Sequence, residues 1–274
     1  LIDGFPSTQC HIDRITIVGD LSKPLRFLNR WQNNIDVNEM KIAKFPYRHQ
    51  WNSSCNYILQ QKDRDADVPE LRIEFNPNTL VPSTSFYQII SNLLYPRITR
   101  LDFAVDYERD LSSYRFHTKI PKKSTSFFSR SGKLETHYIG SRNSGNLYRI
   151  YDKAKEQKED GIKWRIEQEI HFRPDQNWET SEPFFDLEAY EPALDEKLML
   201  SEQAMLCLIQ HHPEKLGQLH ARTRAKYKDL LKSGSGSHRL NPHPWDVYHH
   251  AKPRLRKMIN AFLNPNQITE GALT

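Results

Sequence analysis

Apolar and polar residues alternate in short runs through much of the first 170 or so residues, the two-residue period of strands with one buried face. Arg14-Ile-Thr-Ile-Val18 reads as a strand ended by Gly19-Asp20, and Trp51 to Gln61 as a second. Leu71 to Phe75 is a third, stopped by Asn76-Pro77-Asn78, and Arg100 to Tyr107 alternates cleanly. Trp164 to Phe172 does the same after a loop from Lys155 to Lys163. The helical period shows over Pro24 to Asn34, and over Ser85 to Leu94, where Phe86, Ile89, Ile90 and Leu93 share one side. It returns from Leu187 to Leu231, with Leu198, Met199, Ala204, Met205, Leu208 and Ile209 as apolar positions. A basic helix over Trp245 to Leu263 comes last, after Ser233-Gly-Ser-Gly-Ser237 and Asn241-Pro-His-Pro244, which read as flexible. The order predicts an α+β fold with a mostly antiparallel central sheet and a helical, basic carboxyl-terminal part. Its expected division is 1–186 and 187–274, with a flexible stretch near 233–244.

Composition narrows the setting. A chain of 274 residues with 37% hydrophobic content can bury a core while keeping a polar surface. No apolar run approaches the roughly 18 residues that span a bilayer, and the amino terminus lacks a signal-peptide pattern. Cys10, Cys55 and Cys207 have no metal-type spacing, so a reducing compartment and three packing cysteines are expected. The formal charge of +5 suits a polyanionic partner, and the cations cluster with aromatics among them. On a helix, Arg224, Lys228 and Lys232 stand at i, i+4 and i+8 beside Arg222, and Arg254, Arg256 and Lys257 form a second group. Either cluster can face phosphates or form a solvated helix face.

One segment carries candidate chemistry. If Leu147 to Lys153 is a strand, Arg149, Tyr151 and Lys153 share a face just after a hydroxyl-rich turn. A phenol between two cations is easier to ionise, and the same cations would hold a phosphate oxygen, so Tyr151 is a candidate nucleophile. A half-buried tyrosine with Arg and Lys at the surface is the alternative. Three strands add acidic residues: Asp102 and Asp106 flank small Ala104, Glu74 shares a face with Arg72, and Glu167 shares one with Arg165, Glu169 and His171. Such an oxygen-rich set suits a hard divalent cation, or else ion pairs on a solvated sheet. Four residues of strand separate Asp102 from Asp106 by about 13 Å, too far for both to hold one ion directly without a bulge.

In chain order, Thr16-Ile-Val-Gly19, Arg72-Ile-Glu-Phe-Asn-Pro-Asn78, Thr99-Arg-Leu-Asp-Phe-Ala-Val-Asp106, Glu135-Thr-His-Tyr-Ile-Gly140, Arg149-Ile-Tyr-Asp-Lys153 and Trp164-Arg-Ile-Glu167 resemble motifs of one family. It is that of the replication initiator (Rep) proteins of small rolling-circle plasmids, in the group typified by staphylococcal antibiotic-resistance plasmids. Glu202-Gln-Ala-Met205 and Lys226-Tyr-Lys228 extend the likeness. The resemblance implies a cytoplasmic bacterial strand transferase that binds the plasmid's double-strand origin, hairpin or single-stranded at the nick. Tyr151 would cut one strand, leaving a 5′-phosphotyrosine and a 3′-hydroxyl primer, with Arg149 and Lys153 beside it. It implies a homodimer, Mg²⁺ or Mn²⁺, and a host replicative helicase. The His-hydrophobic-His metal motif of wider rolling-circle nucleases is missing, so the ligand set would be Glu74, Asp102 and Glu167, with Asp106 in reserve. Origin discrimination would fall to the carboxyl-terminal region, with Arg222, Arg224, Lys228, Arg254, Arg256 and Lys257 meeting DNA. A non-catalytic origin-binding repressor and a tyrosine recombinase or topoisomerase-type strand transferase are the competing readings.

Overall fold

The computed structural model describes residues 8–22, 37–43, 45–192, 198–232 and 237–264. The helix expected over Pro24 to Asn34 and the linker at Ser233 to Gly236 lie outside them. A ten-stranded sheet dominates. Its strands are β1 (Gln9–Leu21), β2 (Val37–Ile42), β3 (Tyr47–Ser53), β4 (Tyr57–Lys62), β5 (Leu71–Phe75), β6 (Leu93–Tyr107), β8 (Ser124–Phe128), β9 (Leu134–Ser141), β10 (Asn146–Asp152) and β11 (Trp164–His171). The short β7 (Arg115–Thr118), β12 (Leu187–Pro192) and β13 (Ser237–Arg239) form a second sheet. The helices are α1 (Thr84–Ser91), α2 (Lys153–Gln157), α3 (Leu200–His211), α4 (Ala221–Lys232) and α5 (Pro244–Leu263). In the large sheet the order is β2-β3-β4-β5-β1-β6-β11-β10-β9-β8, and every pairing among the described residues is antiparallel. The α+β expectation therefore holds.

One face of this sheet is the core. Ile15, Ile73, Leu101, Phe103, Val105, Ile150 and Ile166 are buried there. Helix α1 starts at Ser83, whose hydroxyl accepts from the Phe86 amide. It inserts Phe86 against Tyr57 and Phe75. Helix α5 runs along the same face, with Tyr248 edge-on to Phe103 and Phe262 edge-on to Phe75. The last helix is thus part of the sheet's core, although it is the basic segment of the sequence.

Three local expectations change. Trp51 to Gln61 is not one strand: β3 and β4 form a hairpin whose turn places Asn56 in the left-handed region, φ 62°. Leu187 to Pro192 is a strand and not the start of a helix, because Leu187 and Ala189 are buried beside β7. Cys207 is exposed, whereas Cys10 and Cys55 are buried and pack as expected.

Strand β1 departs from regular alternation. Ile12 and Ile15 are both fully buried although three residues apart, which a period of two forbids. A bulge resolves this: Ile12 pairs with Phe103 and Arg14 with Asp102, leaving Asp13 as the extra residue.

Candidate functional site

The face opposite the core is polar, and its strand register assembles the site. Cross-strand partners share a face, so the rows Arg14–Asp102–Glu169, His11–Ala104–Glu167–Arg149–Tyr138 and Asp106–Arg165–Tyr151–Thr136 lie side by side. A cavity of about 380 Å³ opens among them, lined in part by Asp13, Asp102, Tyr138, Arg149, Tyr151 and Glu167. Gly140, near the end of β9, lets the two strands approach closely ahead of their turn: at φ 91° an added Cβ would meet the Asn146 carbonyl oxygen at 2.4 Å. Tyr151 sits near the end of β10; Lys153 does not continue the strand but starts α2, capped by the Asp152 carboxylate on the Lys155 amide.

The two flanking cations do reach Tyr151. The Arg149 guanidinium lies 3.8 Å from the ring centroid and the Lys153 ammonium 5.6 Å. Both are held by Glu156, each at 2.6 Å. The phenol donates to Glu167 Oε2 at 3.4 Å. The expectation of easier ionisation is reversed in this state. Burial raises the phenol's pKa and the Glu167 carboxylate adds to that, outweighing the lowering by Arg165 and Arg149. Glu167 in turn is pushed up to about 7, first by burial and then by Asp102 and Asp13.

The proposed metal ligands are on this face but are committed elsewhere. Arg100 grips both Asp102 oxygens at 2.7 and 2.6 Å and reaches Glu169 at 2.8 Å. Asp106 takes a bidentate pair from Arg165 at 2.6 and 2.9 Å. Glu74 is held by Arg14 at 2.5 Å and by Arg72. Among the described residues no group of three His, Cys, Asp or Glu is placed to hold an ion. As arranged, the set does not fit a shared Mg²⁺ or Mn²⁺: arginines neutralise three of the four carboxylates.

Several cavity residues were hidden in the sequence. Asp13, projected by the bulge, bonds Arg165 at 3.0 Å, so that guanidinium is clamped between Asp13 and Asp106 beside Tyr151. Arg100 belongs to one of the six ordered motifs, but only the register reveals that it binds two strands. Tyr148, by contrast, faces the core with its hydroxyl on Asp186. The basic candidates divide. Arg224 donates to the Gly217 and Leu219 carbonyls, Arg254 to that of Cys10 and Arg256 to that of Glu179. Arg222, Lys228 and Lys257 are exposed.

No family model matches the chain. Curated relatives do, and they define a class: a replication initiation protein of Staphylococcus aureus is 32% identical over 242 residues, covering 83% of this chain and 76% of the relative. A second from the same organism is 35% identical over 234 residues, 80% of this chain and 74% of its own length. The chain belongs to this family of replication initiation proteins, as its six ordered motifs anticipated. A solved structure described as a rolling circle replication initiator protein from Geobacillus stearothermophilus aligns with TM-score 0.41 and 17% identity, over 60% of this chain and 75% of that one.

Proposed function

We propose that this chain starts rolling-circle plasmid replication by nicking one strand of the origin with Tyr151. The observation that carries the reading is the setting of Tyr151: it lines a polar cavity, with its hydroxyl 3.4 Å from Glu167 and the Arg149 guanidinium over its ring. In this chemistry the phenol oxygen attacks phosphorus and its proton passes to Glu167, the nearest acceptor. The bond from phosphorus to the 3′-oxygen breaks, and that oxygen leaves to become the 3′-hydroxyl primer after taking a proton from water. Arg149, Arg165 and Lys153 supply positive charge for the phosphate oxygens. The 5′-phosphotyrosine keeps the phosphodiester's energy, so ends can be rejoined by reversal. Mg²⁺ or Mn²⁺, a second copy of the chain and a host helicase belong to the wider proposal. No step is routed here through a cation, since the carboxylates are held by arginines.

The test is covalent capture. Incubated with a labelled single-stranded origin oligonucleotide, the intact chain forms a protein–DNA adduct, and Tyr151→Phe forms none while folding and binding DNA as before. An adduct that persists in Tyr151→Phe moves the nucleophile to Tyr138, which lines the same cavity. Binding without any adduct from the intact chain returns the reading to a non-catalytic repressor.

A further inference from the structure

A second, larger hollow adjoins the tyrosine cavity. It encloses about 990 Å³ against about 380 Å³ around Tyr151, and Arg142 lines both. Its walls are the turn between β9 and β10 on one side, and on the other the end of β11 with the segment running on to Ser181. Its lining mixes apolar and polar groups: Ile170 and Phe172 beside the amides of Asn146 and Asn177, the Ser144 hydroxyl, the His171 imidazole, and the guanidiniums of Arg142 and Arg173. Its floor is built. Ser141 and Ser144 cap the turn reciprocally, Gly145 closes it in the left-handed region, and the His171 amide donates to the Gly145 carbonyl at 2.8 Å. Arg142 stands at the junction, 3.4 Å from Glu169, with its side chain 73% exposed. Arg173 lines the same hollow, 74% exposed, with Asp175, also in the lining, at 3.6 Å.

We infer that this groove is the track for the single-stranded DNA flanking the scissile phosphate. The inference rests on the nicking reading and adds to it the path of the strand. Two exposed guanidiniums, with neutral hydrogen-bonding groups beside them in the same lining, match a run of phosphodiesters and sugars, which carry a charge per unit and acceptors throughout. Its volume, more than twice that of the cavity around Tyr151, leaves room for more than the one phosphate that Tyr151 attacks.

The experiment compares fluorescent oligothymidylates of two lengths, four and twelve nucleotides, on the full chain. The intact protein binds the longer strand more tightly and with a steeper salt dependence, by about 0.7 in log–log slope for each extra phosphate neutralised. Arg173→Glu loses about tenfold in affinity for the longer strand and little for the shorter, from the removal of one charge-assisted hydrogen bond and the addition of a repulsion. Arg48→Glu, the same charge change at an exposed site on β3, leaves the length preference intact. Equal binding of both lengths by the intact chain, an unchanged preference in Arg173→Glu, or an equal loss in Arg48→Glu each overturns the assignment. Adduct formation on origin DNA reports separately on the nicking reading, so a chain that forms adducts yet shows no length preference loses only the groove.

Discussion

Under the proposed chemistry, Glu167 couples proton transfer to stability. Its carboxyl is raised from 4.5 to about 7 because burial and the Asp102 and Asp13 charges oppose ionisation. Between those values the folded protein keeps a proton that the unfolded chain gives up, so stability falls as pH rises through that window and is level above it. Removing the charge should therefore stabilise: Glu167→Gln is expected to gain about 1–3 kcal/mol at pH 8 in urea melts. The same variant should form the tyrosine adduct far more slowly, having lost its proton acceptor. In the intact chain, adduct formation should slow as pH falls below about 7, where Glu167 is protonated. A flat pH profile together with an unstabilised Glu167→Gln would remove Glu167 from the mechanism. At this scale the sequence disclosed Tyr151 with Arg149, since strand alternation predicts a shared face, whereas Lys153 reaches the ring from the first turn of α2. It could not disclose the arginines that reach carboxylates across strands, Arg14 to Glu74, Arg100 to Glu169 and Arg165 to Asp106, because such partners lie on elements whose pairing no local pattern specifies. Glu156 beside Lys153, and Arg100 beside Asp102, are by contrast near neighbours in sequence.

The bulge in β1 is the element with the sharpest test. Deleting Asp13 lets Ile12 and Arg14 follow one another opposite Phe103 and Asp102, so the buried register of both flanks survives. The shortened chain is expected to fold, with circular dichroism unchanged. It also loses the carboxylate 3.0 Å from Arg165, and nicking should fall by about tenfold or more as that guanidinium loosens beside Tyr151. A deletion that unfolds the sheet would show the bulge to be a packing device. Elements with a clean period were legible: α5 begins at Pro244, one residue before its expected start, and β11 spans all but the last residue expected of it. The β3–β4 turn was not, because Ser53-Ser54-Cys55-Asn56 has neither glycine nor proline, and its left-handed residue is an asparagine. Leu187 to Pro192 combines helix-forming Leu, Glu and Ala with alternating burial, and pairing with β7 decided the outcome.

Across the whole molecule, the carboxyl-terminal helix serves folding, and its exposed Lys257 is a candidate phosphate contact under the proposed function. Alanine at Arg222, Lys228 and Lys257 together should flatten the salt dependence of duplex-origin affinity by about 0.9 for each phosphate no longer neutralised, with melting temperature unchanged. An unaltered slope would place the duplex surface on the sheet. Phe262→Ala, in contrast, should cost about 3–5 kcal/mol, since the ring packs on Phe75 and Phe86. Cutting the chain after Ser233 would strip α5 from the core, so loss of binding there would report unfolding. The bond from Arg254 to the Cys10 carbonyl, 2.8 Å long across 244 positions of sequence, has a further consequence in time. During translation at about 5–20 residues per second, β1 waits roughly 12–50 s for the helix that covers it. A ribosome that stalls before α5 releases a polypeptide carrying Tyr151 without its finished scaffold, so an abortive product has the proposed nucleophile but not the folded site around it.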